Sequence, residues 1–355
     1  AYATPVACAI PLVIGPWVTT SVYDVPAVDL TLTAVTTHTT PVGAYRGAGR
    51  PEAIYIVERL MDAAARTLQM DPAELRRRNL LQPAQFPYTN ALGQTYDVGA
   101  FEKMLDQGLA LADWAGYAER AAASRARGRL RGRSVTTFLE WTGGNAFTEQ
   151  VRVEVRADGI IELTSATQAM GQGIATSYAQ LAVDVFGVPI DCIRVVQGDT
   201  DRANGFGSAA SRSLFTGGAA VKVASERTVD HARALAGEAL EVRPDDLEYR
   251  AGEFRIVGTD RRIGLFDLAA RQSGAHIVVA ADASASGASW PNACHVCEVE
   301  VDPDTGAVAI AAYASVNDIG RVVSPQIAQG QVEGGAVQGI GQALCEQVVH
   351  DRESG

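Results

Sequence analysis

Apolar residues recur every three or four positions in several stretches of the chain, which is the spacing of one face of a helix. The clearest stretch runs from Ile54 to Leu68, where Ile54, Val57, Leu60, Met61, Ala64 and Leu68 form one stripe. Asp71 followed by Pro72 predicts the capped start of a short second helix. Further helices are predicted over 101–125, 172–186, 213–240 and 326–349, the last striped by Val337, Ile340, Leu344 and Val348.

Other stretches alternate apolar and polar residues, which predicts strands. Residues 20–42 are rich in Val and Thr, and we expect strands there. Val151, Val153 and Val155 alternate with charged residues before a turn at Asp158-Gly159, which predicts a hairpin that returns through residues 161–163. A second hairpin is predicted around the turn at 303–306. These elements together predict a mixed α/β (α+β) fold.

The run from Ser124 to Arg133 carries an arginine at every second position from Arg125, together with Gly128 and Gly132. We interpret it as a solvated linker at a domain boundary, with a basic contact for a phosphate or a partner as the alternative. The predicted domains are therefore residues 1–128 and 129–355.

Composition and charge narrow the possible functions. The 355 residues are 47% hydrophobic and 20% charged, with 35 glycines and a formal net charge of −11. This balance argues against nucleic-acid partners and anionic membrane surfaces. The apolar opening, Ala1–Pro16, is too short to span a bilayer, and we expect the sequence to be a fragment cut at both ends. Five cysteines without framework spacing favour reduced thiols and a cytoplasmic protein.

The loop Gly43–Glu52 (GAYRGAGRPE) is the strongest candidate for chemistry. Gly47 and Gly49 allow backbone N–H groups to approach a ligand closely, and Pro51 marks the N-terminus of a helix, where anions bind. Arg46 and Arg50 add guanidinium donors for a phosphate, a carboxylate or an oxo-anion. The alternative is an ordinary helix-entry turn whose arginines face solvent.

Three further stretches place glycines and amide or hydroxyl side chains beside helices: 168–173 (QAMGQG), 198–212 with its Gly207–Arg212 segment, and 330–335 (GQVEGG). The first two suit a polar heterocycle and phosphate-like oxygens, with a capped helix start and a flexible surface loop as alternatives. The glycines of the third are costly inside a helix and imply close packing against a helix or a ligand.

Familiar catalytic motifs are missing from the sequence. It contains no Walker loop, no Rossmann Gly-x-Gly-x-x-Gly in context and no recognisable Ser-His-Asp set. Its five histidines lack ligand spacing. Cys294 and Cys297 lie on a predicted strand, where positions three apart point to opposite faces, so a redox or metal role for the pair is not favoured.

In this order, the stretches 43–52, 168–180, 198–201, 207–212, 318–320 and 330–341 resemble the molybdenum-binding large subunit of the xanthine dehydrogenase and aldehyde oxidase superfamily, especially the branch near aerobic carbon monoxide dehydrogenase. The resemblance implies two molybdopterin-binding domains, incomplete at the N-terminus of the first and at the C-terminus of the second. It implies molybdopterin, as the cytosine dinucleotide, carrying molybdenum with no ligand from the protein. The residues implied at the cofactor are Gly47, Ala48, Gly49, Arg50, Gln168, Met170, Gly171, Gln172, Gly173, Thr200, Ser208, Ser211, Arg212, Asp318 and Gln331.

The resemblance also assigns a catalytic role to Arg46, which would stabilise negative charge that develops on the substrate. Gly47 stands where the enzymes that oxidise carbon monoxide carry a copper-binding cysteine, so no copper is expected. The family's catalytic glutamate and its oxo-contacting loop are expected outside residues 1–355, which would leave this fragment inactive alone.

For the intact protein, the resemblance implies oxidation of an aldehyde or N-heterocycle with oxygen from water. Electrons would leave through a 2Fe–2S small subunit and an FAD medium subunit, in a dimer of heterotrimers. The alternative is a catalytically inactive pterin-binding or scaffold paralogue.

Overall fold

The computed structural model of the chain describes residues 8, 10–143, 147–283 and 287–355. Residues 1–7 and 9 of the apolar opening therefore lie outside the described part. Close packing divides the chain into two units: unit 1 is 1–141, 289–320 and 333–355, and unit 2 is 142–288 and 321–332. The predicted domain boundary at 128/129 stays a prediction, since these packing units are discontinuous along the chain.

Helices and strands alternate along the described residues, as expected for the mixed class. The helices are α1 (Ile10–Trp17), α2 (Arg50–Leu68), α3 (Pro72–Asn79), α4 (Phe101–Leu111), α5 (Tyr117–Ala126), α6 (Ile174–Phe186), α7 (Gly218–Leu240), α8 (Leu265–Ala270) and α9 (Pro325–Leu344). The strands are β1 (Tyr88–Thr89), β2 (Thr95–Tyr96), β3 (Leu130–Leu139), β4 (Glu149–Arg156), β5 (Ile161–Ser165), β6 (Ile193–Val196), β7 (Leu247–Arg250), β8 (Glu253–Ile256), β9 (Arg262–Gly264), β10 (His276–Ala283), β11 (Asn292–Val301) and β12 (Val308–Asp318).

Unit 1 is built on a three-stranded antiparallel sheet in the order β12-β11-β3. Cys294 is fully buried and lies at Gly108 of α4, where an added Cβ would come within 2.6 Å of its Sγ. Cys297 is only half-buried, because three positions along a strand reverse the side-chain direction. The predicted placement of the two cysteines on a strand, with side chains on opposite faces, is confirmed.

Unit 2 contains a four-stranded sheet in the order β10-β4-β5-β6 and a smaller sheet of β7, β8 and β9. Val151, Val153 and Val155 are fully buried on β4, and Ile161 and Leu163 on β5 face the same core. The predicted hairpin is therefore confirmed. The core continues onto α6, α7 and α8, so this sheet is covered by helices.

The helix predictions are confirmed where the signal is local. The side chain of Asp71 accepts hydrogen bonds from the backbone N–H groups of Ala73 and Glu74, as a helix cap should. The single helix predicted over 101–125 is wrong, since α4 and α5 are separate. Asp113, with φ at +46°, breaks the helix, and its carboxylate accepts a hydrogen bond from the N–H of Gly116.

The strands predicted over residues 20–42 are wrong. Apart from an isolated bridge between Tyr23 and Leu80, this segment lies outside helix and strand, and most of its residues from Asp24 onward are exposed. Val and Thr favour positions on a pleated, half-buried surface, but a segment rich in them forms a strand only where a partner strand is available to pair with it.

The interpretation of 124–133 as a solvated linker is also wrong. Residues 130–139 form β3, and Arg131 and Arg133 lie opposite Glu300 and Glu298 of β11. Arg131 binds Glu298 at 2.6 Å and Glu300 at 3.2 Å. The arginines of β3 thus face the glutamates of β11, and the run 124–133 forms a series of structural ion pairs, called the arginine ladder. Its outer pairs are Arg127 with Glu300, Arg129 with Asp302, and Arg133 with Asp71.

Helix α9 ends at Leu344, five residues before the predicted end, and none of its described residues is buried. Val337 and Leu344 of the predicted apolar stripe are 66% and 46% exposed. The glycines of this helix therefore do not lie in a core. One of them, Gly335, lies beside Arg46 of the candidate site.

Candidate functional site

The loop before α2 contains three consecutive residues in the left-handed region, with φ of +93° at Gly47, +50° at Ala48 and +89° at Gly49. This turn aims the chain into the helix, and glycine adopts it without steric cost. Gly47 has a further reason to be glycine, because a Cβ there would lie 2.4 Å from Cγ of Pro51. Sequence reasoning gave only the ligand-approach explanation for this residue.

Arg46 is exposed on this loop and lies against the second half of α9. A Cβ added to Gly335 would be 3.4 Å from Nη2 of Arg46 and 3.5 Å from its Cζ. One residue earlier, the hydroxyl of Tyr45 donates to the Glu346 carboxylate, at 2.9 and 3.1 Å from its two oxygens. The distances at Gly335 are ordinary van der Waals distances, and a Cβ at Gly330 or Gly339 would meet open space, so the described residues do not show the close packing against another helix that was predicted for the α9 glycines.

The sequence suggested Arg50 as a donor to an anion, with a solvent-facing arginine as the alternative, but the structure buries its side chain. It is 4% exposed, and its Nε lies 2.7 Å from Oε1 of Glu140. Its Cζ lies 5.8 Å from the centroid of the Trp141 ring. Burial raises the pKa of the Glu140 carboxyl, and the charge of Arg50 opposes that shift. Arg50 therefore ties the base of the loop to the residue that follows β3.

In unit 2, the loop 168–173 presents Gln168 and Met170 to solvent and turns through Gly171 and Gly173, with φ of +93° and +73°. The amide of Gln172 folds back on the loop: its oxygen accepts from the N–H of Met170, and its nitrogen donates to the carbonyl of Gln168 at 3.1 Å. Gln172 thus holds the loop's shape. A Cβ at Gly173 would lie 2.7 Å from Cδ1 of Ile327, whereas one at Gly171 would meet open space.

Ser208 joins this loop to the segment 207–212. Its hydroxyl accepts from the N–H of Gln168 at 2.9 Å and donates to the Gln168 carbonyl at 2.8 Å. The hydroxyl of Ser213 donates to Ser208 at 2.8 Å. Ser211 is exposed beside them, with φ of +59°. Two of the predicted stretches, far apart in sequence, are therefore brought together within unit 2.

Arg212 is fully buried and so is not placed as a surface donor. It donates to Oε2 of Glu149 at 3.0 Å, to the carbonyl of Gly207 at 2.6 Å and to the carbonyl of Phe147 at 3.0 Å. Its buried guanidinium therefore holds the 207–212 segment in place through the carbonyl of Gly207. Glu149 and Glu140 are the partners that sequence reasoning missed, because no local signal links residues so distant along the chain.

The remaining predicted residues occupy exposed positions. Thr200 follows the turn at Gly198, and Gln331 lies on α9 in unit 2. Asp318 ends β12 in unit 1, where its carboxylate accepts from the N–H of Gly320 at 3.1 Å. Roles at a cofactor for these residues, as for the two loops, stay predictions.

The described residues offer neither a cluster of metal ligands nor a helix that could span a membrane. Across the described ranges, no group of three or more His, Cys, Asp and Glu residues could hold a metal ion. No helix in the described part of the chain is long and apolar enough to cross a membrane.

A cavity of about 250 Å³ opens on unit 2, lined by Gln180, Val183, Asp184, Ile190 and residues 321–323. None of the predicted site residues lines it, so it is separate from the loops described above.

Comparison with known proteins places these loops in a family. Residues 107–355 match a molybdopterin cofactor-binding domain, and residues 1–80 match another domain of that description. The chain is 36% identical over 346 residues to the 6-hydroxypseudooxynicotine dehydrogenase complex subunit gamma of Paenarthrobacter nicotinovorans, with 93% of this chain and 44% of that protein covered. It is 30% identical over 355 residues to the carbon monoxide dehydrogenase large chain of Hydrogenophaga pseudoflava, with 93% and 44% covered.

Among solved structures, quinoline 2-oxidoreductase from Pseudomonas putida 86 superimposes with a TM-score of 0.90 at 31% identity, over 99% of this chain and 47% of that one. The chain thus spans less than half the length of these relatives. The matches cover both halves of the chain, and they confirm the resemblance drawn from the loop motifs and the mixed α/β fold. The chain therefore belongs to the molybdopterin cofactor-binding family found in molybdenum oxidoreductases.

Proposed function

We propose that this chain holds a molybdenum–pterin cofactor, as the cytosine dinucleotide, in a full-length hydroxylase for N-heterocycles or aldehydes. The observation that carries the proposal is the bridge at Ser208, which joins the loops 168–173 and 207–212 into one exposed surface of backbone and amide groups. When bound, the cofactor supplies the redox step that transfers water-derived oxygen to carbon and takes up two electrons.

The donor set suits such a ligand. Gly171 and Gly207 have positive φ, and a Cβ at either would meet open space, so a flat ligand can approach the backbone there. Gln168 and Ser211 add exposed amide and hydroxyl groups beside these glycines. Amides and hydroxyls bind an anionic organic molecule better than a bare metal ion. We infer that Gln168, Gly171 and Ser211 hold the cofactor directly, and that Gln172 and Arg212 hold the loops.

Arg46 is the residue of this chain that we assign to the substrate. Its guanidinium would stabilise negative charge that develops on a heterocycle or carbonyl. Gly47 offers no side chain to a copper ion, so we do not expect copper-dependent oxidation of carbon monoxide, although a carbon monoxide dehydrogenase is among the relatives.

Two relatives support the choice of substrate and partners. Quinoline, the substrate of one relative, is an N-heterocycle, and the relative from Paenarthrobacter nicotinovorans is the gamma subunit of a dehydrogenase complex. We propose that electrons leave through a 2Fe–2S subunit and an FAD subunit, in a cytoplasmic dimer of heterotrimers.

The test is to purify the full-length protein and measure molybdenum, pterin and bound nucleotide, then turnover of quinoline, an aromatic aldehyde and carbon monoxide. We expect one molybdenum–pterin per chain and activity toward one of the first two substrates. In the loaded enzyme, Arg46→Met should lower kcat/KM about 100- to 1,000-fold without loss of pterin. Arg66→Met, at an exposed position of α2, is the matched control.

Absence of pterin from the purified protein would contradict the proposal. Stoichiometric pterin with no turnover of any substrate would favour the alternative, an inactive pterin-binding paralogue.

A further inference from the structure

Arg46 is exposed, and the turn that follows it has little intrinsic rigidity. Gly47 and Gly49 have many backbone conformations open to them when unfolded, so the turn holds one direction only if its ends are fixed. On the N-terminal side, the hydroxyl of Tyr45 donates to the carboxylate of Glu346, a contact between two exposed side chains. On the C-terminal side, the fixed point is Arg50.

Arg50 owes its position to Glu140. The ion pair has an Nε–Oε1 distance of 2.7 Å, and the side chain of Arg50 is 5% exposed. Among the atoms that the structure describes, Nε and Nη1 of Arg50 are both buried without a hydrogen bond of good geometry, so its contact with Glu140 is an ion pair. The burial of this guanidinium is therefore compensated chiefly by the carboxylate and by the face of Trp141.

Glu140 is itself held firmly. It directly follows β3, and its N–H donates to the carbonyl of Pro291 at 2.7 Å. Trp141 packs edge-on against Trp17, with ring centroids 5.4 Å apart. From the other side, Gly15 of α1 lies so close that a Cβ would be 2.5 Å from the Gly49 carbonyl oxygen. The end of the turn is thus enclosed by α1 and by the residues that follow the sheet.

We propose that Glu140 is a positioning residue, which acts through Arg50 to fix the Gly47–Gly49 turn and with it the direction of Arg46. The inference rests on the proposed function, because it matters for catalysis only if Arg46 faces the substrate. Its structural consequence can be measured independently of the cofactor.

That measurement is limited proteolysis of the full-length protein with trypsin, following cleavage of the Arg46–Gly47 bond by mass spectrometry. Cleavage requires local opening of the turn, so its rate reports how firmly the turn is held. We expect Glu140→Gln to accelerate this cleavage about tenfold or more, and Glu140→Asp to accelerate it less, because a shorter carboxylate keeps the charge near Arg50. Glu119→Gln, an exposed position in unit 1, makes the same change of charge and should leave the rate unaltered.

A double-mutant cycle tests the route through Arg50. In an Arg50→Met background, Glu140→Gln should not increase the cleavage rate further, because the guanidinium that Glu140 holds is already absent. If the enzyme is loaded, Glu140→Gln should also lower kcat more than it raises KM, at unchanged molybdenum content.

Equal cleavage rates for wild type, Glu140→Gln and Glu140→Asp would overturn the inference, as would a full effect of Glu140→Gln in the Arg50→Met background. Lack of pterin in the wild type would contradict the proposed function, while the cleavage rates would still decide the role of Glu140.

Discussion

Replacing Glu149 with glutamine should destabilise unit 2 through a single buried charge. Glu149 and Arg212 are both fully buried, with 3.0 Å between Oε2 and Nη1. Glutamine has nearly the same shape, so the substitution opens no cavity and changes only the charge opposite the guanidinium. Because Glu149 is the first residue of β4 and Arg212 braces the segment 207–212, the loss should loosen both.

The magnitude follows from the geometry. Breaking a fully buried ion pair by removing one partner costs about 3–5 kcal/mol, because the remaining charge is left uncompensated. The amide oxygen of glutamine can still accept one hydrogen bond, and Arg212 keeps its bonds to the carbonyls of Gly207 and Phe147. We therefore expect a loss at the lower end of this range, about 3 kcal/mol, so the equilibrium constant for opening should be about 150-fold larger than in the wild type.

Hydrogen exchange of peptides from β4 measures this opening directly, since core-strand amides exchange through the larger unfolding events. Glu248→Gln, an exposed position on β7, should change exchange by less than about 0.5 kcal/mol and serves as the control. The double variant Glu149→Leu/Arg212→Met should recover only part of the loss, because it removes both charges but leaves the carbonyls of Gly207 and Phe147 without their donor. If Glu149→Gln changes β4 exchange no more than the control does, the reasoning about the buried pair is refuted.

Two further predictions concern backbone strain and pH. Gly171→Ala should lower the free energy of unfolding by about 1–2 kcal/mol, because its φ is positive. Gly173→Ala should lower it by about 1–3 kcal/mol more, because its Cβ would also collide with Ile327. Equal losses for the two variants in thermal unfolding would show that the contact with Ile327 contributes nothing. The hydrogen bond from Arg120 lowers the pKa of Glu298, so this carboxylate stabilises the protein above its unfolded pKa of about 4.3, and the contribution is lost as pH falls through the lower folded pKa. Glu298→Gln should lower the urea midpoint at pH 7 and lower it progressively less as the pH falls below about 4, and a loss that does not change with pH would contradict the assignment.

Local signals in the sequence were enough to predict much of the fold. The cap at Asp71 and the alternation of Val151 to Val155 each depend on neighbours a few residues away, so the chain itself carries the information. The order of several weak glycine motifs was enough to place the chain in its family, although each motif alone had an ordinary explanation.

What the sequence could not supply was the pairing of distant residues. The arginine ladder looked like a solvated linker because its acidic partners on β11 lie about 170 residues further on. Arg50 and Arg212 looked like donors to a ligand for the same reason, since Glu140 and Glu149 are 90 and 63 positions away. A buried arginine and an exposed one have the same local sequence signature, and only the fold distinguishes them.

The pairing of β3 with β11 has a consequence for how the protein is made. The two strands are separated by roughly 150 residues, most of which belong to unit 2, so the sheet of unit 1 cannot close until that long insertion has left the ribosome. At about 5–20 residues per second, synthesis of this insertion takes about 8–30 s, during which β3 lacks its neighbour. The alternating arginines of β3 would keep that waiting strand charged and discourage it from associating with other nascent chains.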